Sequence, residues 1–282
     1  MPELSQEQFE FILQFIHAEK VLGMFPVVND TTVAALFGIT AEEYRAVRDK
    51  ISDRARYSAV ELLDEPEFSA KIEALPIPAE YTVVGVGDSF TDDDQSWLEI
   101  LRFVLQSRFS QCKLNIINSG VSTQTSTHIV ARVQQIIALK PDLVVFFLGT
   151  NDAQRIDACP DKTLVGIEES GKNFELLNKL VRSETAADVV WFTPTGILED
   201  RIARHWMLGN TGSSWASADV ESVVERITAI PETVVDLTQV FGKPPRGELL
   251  LEDGLHPSLA GHKLIVKELI DVLAAQSKMS AA

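Results

Sequence analysis

Ser89, Asp253 and His256 are the side chains of this chain whose types and spacing can do chemistry together. Ser89 stands in Gly87-Asp88-Ser89-Phe90-Thr91, directly after the apolar run Tyr81–Val86 and before an amphipathic segment with helical spacing. A serine at such a strand-to-helix junction presents its hydroxyl at the open end of a sheet, where small molecules reach it. The hydroxyl is a poor nucleophile at neutral pH, so attack needs a neighbouring base to take its proton. The stretch Asp253-Gly254-Leu255-His256-Pro257 offers an imidazole as that base, with a carboxylate three residues earlier to orient it. Taken singly, each piece has a plainer meaning. Gly-Asp-Ser is a common tripeptide, and 253–256 can be a turn that starts a helix near Pro257.

Nucleophile and base must be carried to one place by the elements between them. From Tyr81 onward, β-rich apolar runs at Thr82–Gly87, Leu114–Asn118, Leu143–Gly149, Val189–Thr193 and Thr233–Asp236 alternate with helical patterns. Those patterns cover Gln95–Phe109, Thr125–Leu139, Glu168–Arg182, Ala216–Ile230 and Leu259–Ala274. Five runs separated by helices predict an α/β fold, a five-stranded parallel sheet covered on both faces. Ligands bind such sheets beyond the carboxyl ends of the strands, and Ser89 and Asn151 each fall just past one. Asn118-Ser119-Gly120 makes a tight turn after the second strand. Gly149-Thr150-Asn151-Asp152 follows the third, and alone it can be a polar turn ending a buried strand.

Residues 1–78 contain no strand-like run and read as a helical N-terminal extension. Ser5 followed by Gln8, and Thr40 followed by Glu43, have capping-box spacing. The stiff connector Leu75-Pro76-Ile77-Pro78 sets the boundary with a domain at 79–282. Thr32–Ile51 has helix-turn-helix spacing, but Glu42 and Glu43 would place anions where nucleic-acid phosphates should lie. Packing on the main domain, covering part of a pocket, or joining two copies of the chain as a homo-oligomer suits the extension better. Residues 196–219, with Trp206, Met207 and Trp215 among glycines and serines, read either as a lid or pocket wall or as a loop packed on the sheet. The tail 276–282 is expected to fray.

A formal charge of −16 disfavours nucleic acid and anionic membrane as partners. The apolar stretch Leu143–Leu148 falls far short of the ~20 residues of a bilayer span. Residues 1–15 carry glutamates at helical spacing, without a basic region or a small-residue cleavage site. With only Cys112 and Cys159, reduced thiols rather than a disulfide are expected, and with them a cytoplasmic location.

In the combination and order of its four turns, the chain over roughly residues 81–275 resembles the SGNH hydrolases, also called the GDSL esterase family. The resemblance implies a three-layer α/β/α hydrolase domain with no metal or organic cofactor. It assigns Ser89 as nucleophile, His256 as general base, Asp253 as its orienting partner, and Gly120 and Asn151 as oxyanion-hole donors beside the backbone N–H of Ser89. Loss of one such donor typically costs about 10²–10³ in turnover. Phe90 replaces the leucine of the family's name, at a position that varies. The serine is flanked by Asp88 and Phe90, so a Gly-x-Ser-x-Gly elbow fits less well. The implied reaction is hydrolysis of a small-molecule ester, with acetyl or another short acyl group the leading substrate. Acyl transfer, thioester hydrolysis and a non-catalytic binding module remain the alternatives.

Asp92, Asp93 and Asp94 invite a metal, but carboxylates after Thr91 are expected to cap the following helix instead. His17, His128 and His205 lack ligand spacing, and His262 is expected to decorate the last helix. Arg155 either contacts substrate or pairs with a surface carboxylate.

Overall fold

The computed structural model describes residues 5–21 and 27–280; the first four residues and the last two of the expected frayed tail lie outside that range. The extension supplies helices α1 (Gln6–Phe15), α2 (Ala18–Val21), α3 (Asp30–Leu36), α4 (Ala41–Leu63) and α5 (Pro66–Glu73). Ser5 and Thr40 close the capping boxes expected of them with Gln8 and Glu43. Then come β1 (Glu80–Gly87), α6 (Ser89–Asp92), α7 (Trp97–Arg108), β2 (Lys113–Gly120), α8 (Ser126–Ala138), β3 (Leu143–Phe147), β4 (Gln154–Ile156), β5 (Cys159–Thr163) and α9 (Ile167–Glu184). The chain ends with β6 (Asp188–Phe192), α10 (Glu199–Arg204), β7 (Ser213–Trp215), α11 (Ser217–Thr228), β8 (Thr233–Val235), α12 (Leu237–Phe241) and α13 (Leu259–Ser280).

All five expected strands join one parallel sheet in the order β2-β1-β3-β6-β8, with helices on both faces. β3 stops two residues before the expected end because Gly149 turns the chain at φ +110°. α13 runs through Ser280 rather than fraying from residue 276. A second, antiparallel sheet of order β5-β4-β7 was not foreseen. It takes one strand from residues 196–219, which also hold α10 rather than a bare loop.

The main core gathers Val83, Val84, Val86, Val144, Phe146 and Trp191 from the sheet with the apolar faces of the surrounding helices. Its membership reaches back into the extension: Ala55, Ala59 and Leu62 of α4 and Phe68 and Ile72 of α5 belong to it. Nearer the N-terminus a smaller cluster of Leu13, Val33, Ala34 and Tyr44 joins α1, α3 and the start of α4. α4 therefore runs through both cores. Among the described residues no helix is long and apolar enough to cross a membrane.

Candidate active site

The carboxyl ends of β1, β2 and β3 align, Gly87 lying in register with Gly120 and Phe147. A side chain at Gly87 would collide with the Phe147 carbonyl, so glycine lets the strands close up where the chain turns. Asp88 then caps the short helix α6, accepting a hydrogen bond from the Phe90 N–H at 3.1 Å. Ser89, its first residue, is only 7% exposed. Burial pushes the Asp88 carboxyl up to about 7, against the Phe90 N–H and the His256 charge, and with the nearby Asp152 charge adding to the rise.

The base arrives on a loop shaped by Gly254, at φ +72°, whose missing side chain makes room for the Leu198 carbonyl. Asp253 Oδ1 accepts the N–H groups of Leu255 at 2.8 Å and His256 at 3.0 Å, which fixes its carboxylate. Its Oδ2 lies 2.6 Å from His256 Nδ1, and His256 Nε2 lies 2.8 Å from Ser89 Oγ. A carboxylate at Nδ1 holds the proton there and leaves the Nε2 lone pair for the serine hydroxyl. Burial opposes charge on His256, but the Asp253 carboxylate overrides it and raises the imidazole above its ordinary pKa. The same partner holds Asp253 low against its own burial.

Asn151 is brought to the same end of the sheet, buried, with Nδ2 donating to the Gln124 carbonyl at 3.1 Å. Its turn is braced by Trp215 Nε1 on the Thr150 carbonyl at 3.0 Å and by the Ser126 N–H on Asp152 Oδ1 at 2.7 Å. Gly120 does not present a free donor. Its N–H is taken by Asn118 Oδ1 at 3.0 Å, and its need for glycine is steric, since a Cβ would stand 2.5 Å from the backbone nitrogen of Asp92. Beyond it, Thr123 holds φ +69°, a strained value for a β-branched residue, just before the Gln124 carbonyl that meets Asn151.

The extension covers this site. The Phe15 ring lies 4.3 Å from the His256 ring at 34°, Phe90 and Phe11 approach at 5.5 and 6.4 Å, and His256 is 6% exposed. Phe11 with His205 and Trp206 walls a cleft of about 460 Å³ that reaches Asp253.

The three aspartates after Thr91 do not cap α7, whose N-cap is Ser96; they tie down the extension. Asp92 Oδ1 meets His17 Nδ1 at 2.7 Å and also Lys20, while its Oδ2 takes the Ser122 N–H at 2.7 Å. Asp93 accepts from Gln14 Nε2 at 2.8 Å, and Asp94 from Arg48 Nη2 at 2.9 Å. His17 Nε2 also stands 3.2 Å from Asp94, an ion-pair contact. His262 is fully buried rather than decorative, accepting the Trp97 N–H and facing Asp93 at 3.3 Å. Arg155 pairs with Asp219 at 2.6 and 2.9 Å. Among the described residues no group of three or more His, Cys, Asp or Glu side chains is placed to hold a metal ion.

Burial disfavours charge on His17, yet Asp92 and Asp94 outweigh it and push its pKa up to about 9, from 6.5. The stabilisation it gives the covering segment is therefore complete below about pH 6.5 and lost as pH rises through about 9. Hydrogen exchange of the α1–α2 amides should speed up across that window relative to the intrinsic rate. His17→Gln should flatten the dependence, and an unaltered slope would refute the assignment.

The sequence model of the GDSL-like lipase/acylhydrolase family matches residues 85–264, well over half of the chain. Comparison with curated proteins finds no match. Among solved structures, a lipase/acylhydrolase from Enterococcus faecalis superposes with a TM-score of 0.55 at 22% identity, covering 70% of this chain and 96% of its own. The acetylxylan esterase Axe2 from Geobacillus stearothermophilus gives 0.51 at 20% identity, covering 68% and 94%. At such identities the likeness is one of fold, and it spans the sheet and its helices. The matched segment runs from β1 into α13, and so takes in the Ser89 turn, both following turns and the Asp253–His256 loop. The chain belongs to the GDSL-like lipase/acylhydrolase family.

Proposed function

We propose that the chain is a serine carboxylic ester hydrolase working through an acyl-serine intermediate. The observation that carries this reading is the unbroken series of close contacts from Asp253 through His256 to Ser89 at the open end of the sheet. Ser89 Oγ attacks the acyl carbon as His256 Nε2 takes its proton. The oxyanion so formed is held by the Ser89 backbone N–H and the Asn151 side-chain amide. Collapse breaks the ester C–O bond, and His256 returns the proton to the departing alcohol. Water, deprotonated by the same nitrogen, then attacks the acyl-serine, the acyl–Oγ bond breaks to release the acid, and His256 returns the proton to Ser89 Oγ. Phe15 and Phe90 keep bulk water from the imidazole through both halves. The ester is a small molecule, and acetyl is the smallest acyl group the covered serine has to admit.

A p-nitrophenyl acetate assay paired with a serine-directed organophosphonate tests this. Turnover is expected, together with a single adduct mapped to Ser89 by mass spectrometry. Absence of both would refute the proposal.

A further inference from the structure

A groove of about 210 Å³ lies between the extension and the β2–α8 turn, walled by Phe15, Ile16, Ala18 and Val21 on one side and Val121 and Thr123 on the other. It is predominantly apolar. Of the polar groups on its border, Asp92 is occupied by His17, Lys20 and Ser122. Each wall is one step from the chemistry. The Phe15 ring lies tilted against that of His256, Asp92 lies in the same short helix as Ser89, and Thr123 precedes the residue whose carbonyl meets Asn151. The lips of the groove, Ile16 and Val21, are 46% and 65% exposed.

We propose that this groove is the acyl-chain subsite, so that the N-terminal extension, and not the sheet domain alone, sets the length of acyl group the protein accepts. The inference rests on the esterase reading above. The occupant is the unbranched hydrocarbon chain of a medium-length ester. The lining is mostly apolar, with His17 and Thr123 its remaining polar side chains beside the occupied Asp92 and Ser122, and the volume holds about seven groups the size of a water molecule, each about 30 Å³. Acetyl would leave most of it empty. A longer chain would cover Ile16 and Val21, and each methylene so buried would raise kcat/KM by up to about fourfold.

The test is a p-nitrophenyl ester series from acetate to laurate on the full chain, with Val21→Asp, Ile16→Asp and Val121→Phe beside the wild type. The wild-type kcat/KM should climb from acetate and level off near about seven carbons. Val21 and Ile16 are exposed enough that a charge there spares the fold, and either change should cut the octanoate-to-acetate ratio of kcat/KM at least tenfold. Val121→Phe fills the groove from its other wall and should move the optimum towards acetate. Ester turnover with a flat profile, or ratios unmoved in all three variants, overturns the subsite while leaving the esterase standing. No turnover on any ester and no phosphonate adduct at Ser89 removes the esterase reading, and the subsite with it.

Discussion

Replacement of Ser89 by alanine is expected to lower kcat/KM for a hydrolysed ester by roughly 10⁴- to 10⁶-fold. The size of the loss follows from what the hydroxyl does. In the proposed mechanism it supplies the atom that bonds to the acyl carbon, and among the described residues no other hydroxyl is hydrogen-bonded to His256 Nε2. The fold should be untouched, because among the described residues the Ser89 side chain hydrogen-bonds only His256, and alanine suits the first turn of α6. Thermal unfolding of the variant should match the wild type within about 1 °C, as expected for a change of a few tenths of a kcal/mol. Residual turnover within tenfold of wild type would mean that Ser89 is not the nucleophile.

Asp253→Asn should be nearly as damaging, about 10⁴-fold in kcat, for a different reason. The amide that replaces Oδ2 can present a donor to His256 Nδ1, which drives the ring proton to Nε2 and points N–H at the serine instead of a lone pair. The acceptor role of Oδ1 towards the Leu255 and His256 N–H groups can be kept by the amide oxygen, so the loop should persist. A pH profile separates this from simple misfolding. In the wild type the acid limb should lie above the ordinary histidine value, because Asp253 raises His256 despite burial. In the variant that limb should move to lower pH as the raising charge disappears. A variant with wild-type rate and an unmoved limb would remove Asp253 from its orienting role.

Much of this architecture can be read from residue order because each cue is local. The β-rich runs ending at Gly87, Gly120 and Phe147 become adjacent parallel strands, and their turns then meet at one edge by geometry alone. Ser89 and the Asp253–His256 loop were legible for the same reason. Gly120 is harder to read, because a glycine that admits a neighbouring backbone looks, in sequence, like one that offers its N–H, and here that N–H meets Asn118 Oδ1. Asp92–Asp94 were misjudged because their partners, His17, Gln14 and Arg48, lie 46 to 79 residues away, where no spacing rule reaches. The strands at Gln154–Ile156 and Ser213–Trp215 are too short and polar to carry a period.

α4 passes through both cores, and ion pairs fasten its far end and α5 to α13: Lys263 to Glu61, Lys267 to Glu65 and Lys71 to Asp271. These helices are thus packed against one whose paired residue lies 202 positions further along the chain. α4 and α5 also pack on α7, so only the part of their apolar surface that α13 covers waits for that helix. Closing so long a span delays the native contacts until late. The packing beneath the extension is therefore complete only once α13 has docked, and the cover over Ser89 rests on that late contact.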